Sequence, residues 1–479
     1  MLKATGAAAG AVGIGAGVGA GPAAAAGTSY AHPGLLHTGA DLARMAAKVK
    51  AGAAPYTAGY AKLTANRHAQ SGWTANPQAV VYRGAGSPQN YQILYNDIHA
   101  AYQNALRYHV SGDSAHADTA VAILNAWSAK LTQVAGSADR FLAAGLYGYQ
   151  FANAAELVRH HGDFDLGRFQ EMLSKDFGAV SDDFLVRHNG AVVSNYWTNW
   201  DLANMACVLA TGIFCDDKAQ VARAVDYFKH GAGLGAIKNA IPVVYGDGLA
   251  EWLEAGRDQG HALLGVGLMG TFCEMAWNQG IDLYGYDDNR FLKGAQYVAK
   301  WSMGGEVSYT ANTRRKGAIG GWSGSETATD AAGVDPNFQR PIWAMIANHY
   351  TKRRGLSATY LTQIAAKSAP EGGGGDYGPN SGGFDQLGFG TLAFTRDRAA
   401  DPAATPAPAA SASTSGAGSD PRPQSAATAS ASASPAGGDL AATGSNDAIG
   451  WAAAAGITTL AGGLLLVRRR ERVRRGGAE

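Results

Sequence analysis

The sequence predicts an all-α fold. The expected architecture is an (α/α) toroid, or incomplete barrel, of antiparallel helical hairpins, with a disordered C-terminal stalk and a terminal transmembrane helix. Between residues 31 and 400, apolar residues recur at the helical period in about ten segments. Most breaks between these segments are short, which sets neighbouring helices antiparallel. No stretch sustains the period-two alternation of a strand, and no GxGxxG follows one, which argues against a nucleotide-binding sheet. For this many paired helices a toroid is the natural closed arrangement.

Residues 1–26 read as an export signal. One charge, Lys3, precedes an uncharged stretch of Gly, Ala and Val whose small-residue end fits cleavage after Ala26. The stretch resembles a twin-arginine signal without its two arginines, which suggests a true start upstream of Met1. The globular part, expected over 31–398, then begins. Tyr91 to Val110 places Ile93, Leu94, Ile98, Ala101, Tyr102, Ala105 and Leu106 at helical spacing. Ser111-Gly112-Asp113 breaks that helix, and Ala115 to Leu131 resumes with Ala120, Ile123, Leu124 and Trp127. Further helices are expected near 140–161, 165–186, 199–214, 217–230, 258–279, 288–301, 338–353 and 356–368.

Glycine is abundant, with 65 among 479 residues, about double the usual share. It collects in Gly246 and Gly248, in GAIGGWSG (317–324) and in GGGGDYGPNSGGFDQLGFG (372–390), beside aromatics and amides. Such loops are expected to be binding surfaces over the mouth of the toroid. Residues 399–439 are a Pro/Ala/Ser-rich stalk that cannot bury a core. Then follow Leu440-Ala441-Ala442-Thr443-Gly444, an uncharged span over 448–467 long enough to cross a bilayer, and an Arg-rich tail from Arg468. This order resembles the sorting signal of sortase substrates in Gram-positive bacteria, in the LAxTG form of high-GC actinobacteria. It implies that Thr443 becomes the amide link to cell-wall peptidoglycan. The span is the membrane contact before sorting, and the protein is expected to be exported and held at the wall or cell surface.

Composition narrows the function. A net charge of +1 excludes a nucleic-acid binder working through bulk positive charge. Three cysteines exclude a disulfide-dense scaffold; Cys207, Cys215 and Cys273 read as free thiols or one unassignable disulfide. No HExxH, Asp-rich calcium loop or paired Cys points to a metal, and no cofactor is implied.

Two segments carry candidate chemistry. The first is Ser194-Asn195-Tyr196-Trp197-Thr198-Asn199-Trp200-Asp201, where amides and aromatics open a helix. Asn199 or Asp201 could cap that helix. An Asn amide can also stabilise the enediolate formed when the carbon beside a carboxylate loses its proton. The second runs from Tyr245 to His261. On a helix, Glu254, Arg257, Asp258 and His261 would share one face. Arg offers a fork for a carboxylate, His can take a proton near neutral pH, and Tyr245 can supply one. Arg257, Lys238, Arg314, Arg315 and Lys316 could line a local basic cleft despite the neutral net charge.

The strings NYWTNWDLANM, GRDQGHALLG, EMAWNQGIDLYGY and EGGGGDYGPNSGGFDQLGFGTL resemble the bacterial alginate lyase family of polysaccharide lyases. So does the start His32-Pro33-Gly34-Leu35-Leu36-His37-Thr38. The resemblance implies a toroid that cleaves an anionic uronic-acid polymer by β-elimination, acting on polymannuronate, alginate or glucuronan. It implies Asn199, with Asn195, and Arg257 as neutralisers of the C5 carboxylate, His261 as base and Tyr245 as acid. Val193, Ser194 and Asn195 stand where the best-known branch has Asn-Asn-His. The base therefore stays open between His261 and His188, with His230 a weaker option, and Tyr309 and Tyr377 are further tyrosines. Trp197, Trp200, Glu254, Gln259, Lys238 and Tyr377 are expected around the substrate. Two other readings compete. One is a toroid glycoside hydrolase using Asp201, Asp247, Glu251 or Asp258. The other is a non-catalytic wall-anchored carbohydrate binder.

Overall fold

The computed structural model describes residues 29–84 and 89–398. The expected signal, the stalk, the LAATG segment with Thr443 and the span 448–467 lie outside the described residues. Within them, no helix is long and apolar enough to cross a membrane.

The chain opens with α1 (Gly39–Lys50) and α2 (Tyr56–Ala65), two helices that the apolar pattern did not single out. The missed signal is a reciprocal cap: Thr38 accepts from the Asp41 backbone N–H, and the Asp41 carboxylate accepts from that of Thr38. Strand β1 (Val80–Arg83) precedes α3 (Tyr91–Ser111) and α4 (Ser114–Lys130), which turn on the left-handed Gly112. Strand β2 (Gln133–Gly136) pairs parallel with β1. Helix α5 (Asp139–Glu156) follows. The expected helix 165–186 is α6 (Leu166–Met172) and α7 (Ala179–Arg187) joined through a π turn.

The second half begins with α8 (Thr198–Phe214), α9 (Lys218–His230) and the short α10 (Ile237–Ala240). Then come α11 (Gln259–Asn278) and α12 (Tyr286–Ser302). A β-hairpin interrupts the helices: β3 (Asn312–Gly317) against β4 (Ser323–Ala328). The described residues end with α13 (Trp343–Asn348), α14 (Thr359–Ser368) and α15 (Gly390–Ala393). The helix expected from 338 starts five residues later, past Pro341, whose ring disfavours the α region for the residue before it. The fold is thus helix-rich with two small sheets, not purely α.

Helix contacts run in a circuit that closes on itself: α1 on α3, α3 on α5, α5 on α8, α8 on α11, α11 on α13, α13 on α15, and α15 back on α1 and α2. Helices α4, α9, α12 and α14 pack outside this circuit and keep one polar face. The central helices α5, α8 and α11 have none. Every residue of α8 and nearly all of α5 and α11 are buried. This revises the reading of the glycines. A Cβ at Gly145 would lie 2.7 Å from the Ala203 carbonyl carbon, so glycine lets α5 and α8 approach to backbone contact.

The 372–390 segment is not an exposed binding loop. Phe384 stacks on Tyr95 at 4.3 Å, and its carbonyl accepts from His99 and Gln150. The buried Asp385 pairs with the buried Arg340 at 3.2 Å. The segment plugs the interior of the helix circuit. All three cysteines are free, and burial pushes the Cys207 thiol up to about 11.

Candidate active site

A cleft of about 700 Å³ opens where the start of α8, the turn into α11 and the β3–β4 hairpin meet. Its walls include Arg257, His261, Trp197, Tyr196, Arg314 and Lys316.

The turn into α11 builds its centre. Leu253–Gly256 is a single 3-10 turn, and Asp258 has extended backbone, so the four polar residues do not share one helical face as expected. They meet for another reason. The Asp258 side chain caps α11 by accepting from the His261 backbone N–H at 2.8 Å. Its other oxygen holds His261 Nδ1 at 2.7 Å. Burial opposes the charged form of Asp258, but the hydrogen bonds from His261 and the charge of Arg257 prevail and hold its carboxyl at about 2. The ionised carboxylate places the imidazole proton on Nδ1, so Nε2 keeps its lone pair and faces Arg257 Nη2 at 3.2 Å.

Behind this pair lies Glu254, fully buried, whose carboxylate accepts from Arg257 Nη1 at 3.0 Å and from the Asn199 backbone N–H at 3.2 Å. Burial pushes the Glu254 carboxyl up from its ordinary value, against the pull of Arg257. Asn199 Oδ1 accepts from Arg257 Nη1 at 3.4 Å. Asn199 is 0% exposed and does not line the cleft, so it stands behind the guanidinium. Neither Asn199 nor Asp201 caps α8; that position is Trp197.

The hairpin closes the opposite wall. Its tip is fastened to residues 190–195: Val192 donates to the Gly317 carbonyl at 2.9 Å, and Asn195 Oδ1 accepts from the Gly317 N–H at 2.8 Å. Arg314 and Glu326 face each other across the strands and pair at 2.6 Å, and Lys316 reaches the same carboxylate at 3.2 Å. Burial lowers the Arg314 guanidinium from its ordinary value despite Glu326. Trp197 lies beneath both arginines, 4.3 Å from Arg314 and 5.7 Å from Arg257.

Several expected residues lie elsewhere. Tyr245 lines a separate cleft of about 310 Å³ with Asp247, Tyr297 and Lys300. Its hydroxyl donates to Glu251 at 2.5 Å, and burial with that carboxylate raises it to about 12. His188 is buried and bonded to Asp201 at 3.0 Å, which Tyr227 also engages at 2.8 Å; the cluster pins the loop after α7. His230 is exposed beside Asp226. Lys238 is exposed near Asp287. Trp200 is core, packed on Tyr196. Gln259 is tied to the backbone of Asp335 at both ends of its amide. Tyr309 donates to the Leu253 carbonyl, and Tyr377 accepts from the Gly372 N–H. Tyr196 lines the cleft without having been assigned a role, although it belongs to the motif that drew attention.

The alginate lyase family model matches residues 44–308, more than half of the chain and the whole of this centre except the hairpin. The chain belongs to the alginate lyase family. It is a polysaccharide lyase, which displaces the hydrolase and non-catalytic readings. Similar solved structures include alginate lyase A1-III from Sphingomonas species A1, 14% identical over 77% of this chain and 96% of that one, with a TM-score of 0.47. A tyrosine-to-phenylalanine variant of alginate lyase A1-III complexed with a tetrasaccharide is 14% identical over 78% and 96%, with a TM-score of 0.48. An alginate lyase from Bacteroides ovatus is 15% identical over 57% of this chain and 83% of that one, with a TM-score of 0.39. No curated protein sequence matches the chain.

Proposed function

We propose that this lyase cleaves a uronic-acid polymer, polymannuronate, mixed alginate or glucuronan, by β-elimination outside the cell, leaving 4,5-unsaturated uronate ends. The observation that carries this is the Arg257–His261 pair, a fixed guanidinium 3.2 Å from His261 Nε2, in a cleft walled by further cations. Arg257 takes the C5 carboxylate and stabilises the enediolate. His261 Nε2 removes the C5 proton, while Asp258 holds the ring and stabilises the imidazolium that forms. Asn199 and Glu254 position Arg257 rather than touch substrate. The proton for the 4-oxygen comes from Tyr196, whose hydroxyl burial keeps protonated. Tyr245 has no part in this scheme.

The test is a panel of polyuronates read by the ultraviolet absorbance of the unsaturated product. Polymannuronate, alginate and glucuronan all without absorbance gain would refute the reading for those substrates. His261→Ala and Arg257→Ala are each expected to lose at least about 100-fold in kcat/KM while keeping the fold.

The order of residues 440–475 supports wall attachment through Thr443. Thr443→Ala is expected to leave the protein in the membrane fraction, and unchanged wall retention would refute that attachment.

A further inference from the structure

The hairpin tip carries a feature that folding does not explain. Trp322 is 71% exposed, yet it lines the cleft. An exposed indole is an unspent apolar face, and such faces mark binding surfaces. The ring is also positioned. It rests on Gly324, where a Cβ would come within 3.1 Å of Cζ2, so glycine there leaves room for the indole against β4. The hairpin beneath it is not a loose arm. Besides the two bonds already given, Ile319 donates to the Gly190 carbonyl at 2.9 Å, and Ser194 Oγ donates to the Arg315 carbonyl at 2.9 Å.

Charge at the same rim is unbalanced. Arg314 and Lys316 share a single carboxylate, Glu326, so this wall presents one net positive charge beside the indole. A flat aromatic face and a cation side by side match one sugar unit whose ring is apolar on its C–H face and which carries a carboxylate. They match a neutral sugar or a compact anion less well.

We propose that Trp322 and Lys316 form a sugar subsite beside the Arg257–His261 centre. The indole stacks on one ring of the polymer and the ammonium engages a uronate carboxylate there. This rests on the polyuronate reading. The subsite sets a preference for chains long enough to reach it.

Two measurements test it. In steady-state kinetics on a cleaved polyuronate, Trp322→Ala is expected to raise KM about tenfold, equal to about 1.4 kcal/mol. The change falls on KM and not kcat, and it shrinks below twofold on the shortest cleaved oligomer. Trp322→Tyr restores most of the loss, and Lys316→Gln weakens polymer binding and flattens its salt dependence. In the His261→Ala background, polymannuronate and polyglucuronate are expected to quench tryptophan fluorescence, and the quench is lost when Trp322→Phe is added. The second measurement needs no turnover, so it reports on the subsite even if no polyuronate is cleaved. Equal KM for wild type and Trp322→Ala at every chain length, or a quench that survives Trp322→Phe, would overturn the subsite.

Discussion

Asp258 does two jobs with its two carboxylate oxygens, and a single substitution separates them. One oxygen caps α11 and the other holds the imidazole of His261. Asn caps a helix about as well as Asp, so Asp258→Asn is expected to lose only the charge interactions, about 1–2 kcal/mol after solvent screening of this partly exposed group, whereas Asp258→Ala also loses the cap, about 0.5–2 kcal/mol more. Activity should behave differently. An amide cannot hold the imidazole and cap the helix with one oxygen, and it cannot stabilise an imidazolium by charge. Both variants are therefore expected to lose about 10²–10⁴-fold in kcat/KM. The sign of the pH effect follows from the carboxyl being held at about 2, below its ordinary 3.8. Its stabilising contribution is fully present above the ordinary value and is lost as pH falls towards 2. The stability gap between wild type and Asp258→Asn is thus constant above about pH 5 and narrows only in acid. Thermal melts and initial rates on the same samples decide the matter. Wild-type kcat/KM in Asp258→Asn would refute the orienting role.

Three other substitutions and one control address the scaffold and a discarded candidate. Glu371 is fully buried, and burial raises its carboxyl from 4.5 to about 7, so its share of stability is complete below pH 4.5 and lost as pH rises through 7. Glu371→Gln copies the protonated side chain; it should match wild type at pH 4.5 and exceed it by about 3 kcal/mol above pH 7, and parallel melting profiles would refute this. Gly145→Ala sets a Cβ against the Ala203–Asn204 peptide of α8 and is expected to cost about 1–3 kcal/mol by denaturant unfolding, while Gly162→Ala, with open space around it, stays near neutral. Tyr245→Phe should lose about 1 kcal/mol of stability with its bond to Glu251 and keep more than half of kcat/KM; a 100-fold drop would return it to the chemistry.

The contrast between Arg257 and Tyr245 shows what sequence spacing can and cannot place. Arg257 and His261 were read as neighbours from their separation of four, and they are neighbours, though through a helix cap rather than along a helix. Tyr245 is only twelve residues from Arg257, but the Val244–Ala250 bridge folds that stretch back on itself and Glu251 holds the hydroxyl. Chain proximity carried no information about direction. The hairpin was missed because both strands are polar, and an alternation of apolar and polar residues cannot appear where nothing apolar is buried. Its register rests on Arg314 opposite Glu326 instead. The signal that could have found it is the Gly320-Gly321 pair between two runs of β-tolerant polar residues. The inner helices were readable as helices but not as inner ones. Only their scarcity of charge, and glycines that would otherwise weaken a helix, mark the close approach of α5 and α8.

A near-neutral chain and an anionic substrate are reconciled by how the cations are held. Arg257 leans on Glu254 and Asp258, and Arg314 leans on Glu326. Without these carboxylates, two guanidiniums facing one cleft would repel each other in a partly desolvated space. Trp197 accepts both on its ring and keeps them apart without adding charge. The site therefore presents fixed directions for an incoming carboxylate rather than a broad positive field. The cleft's three cations, Arg257, Arg314 and Lys316, are held by three carboxylates, Glu254, Asp258 and Glu326, of which only Asp258 and Glu326 line the cleft. A net charge summed over the chain cannot register that difference. Distances of 3.0 to 3.5 Å between the paired groups also keep the arrangement well inside the screening length of physiological salt, so the geometry persists when long-range attraction is screened away.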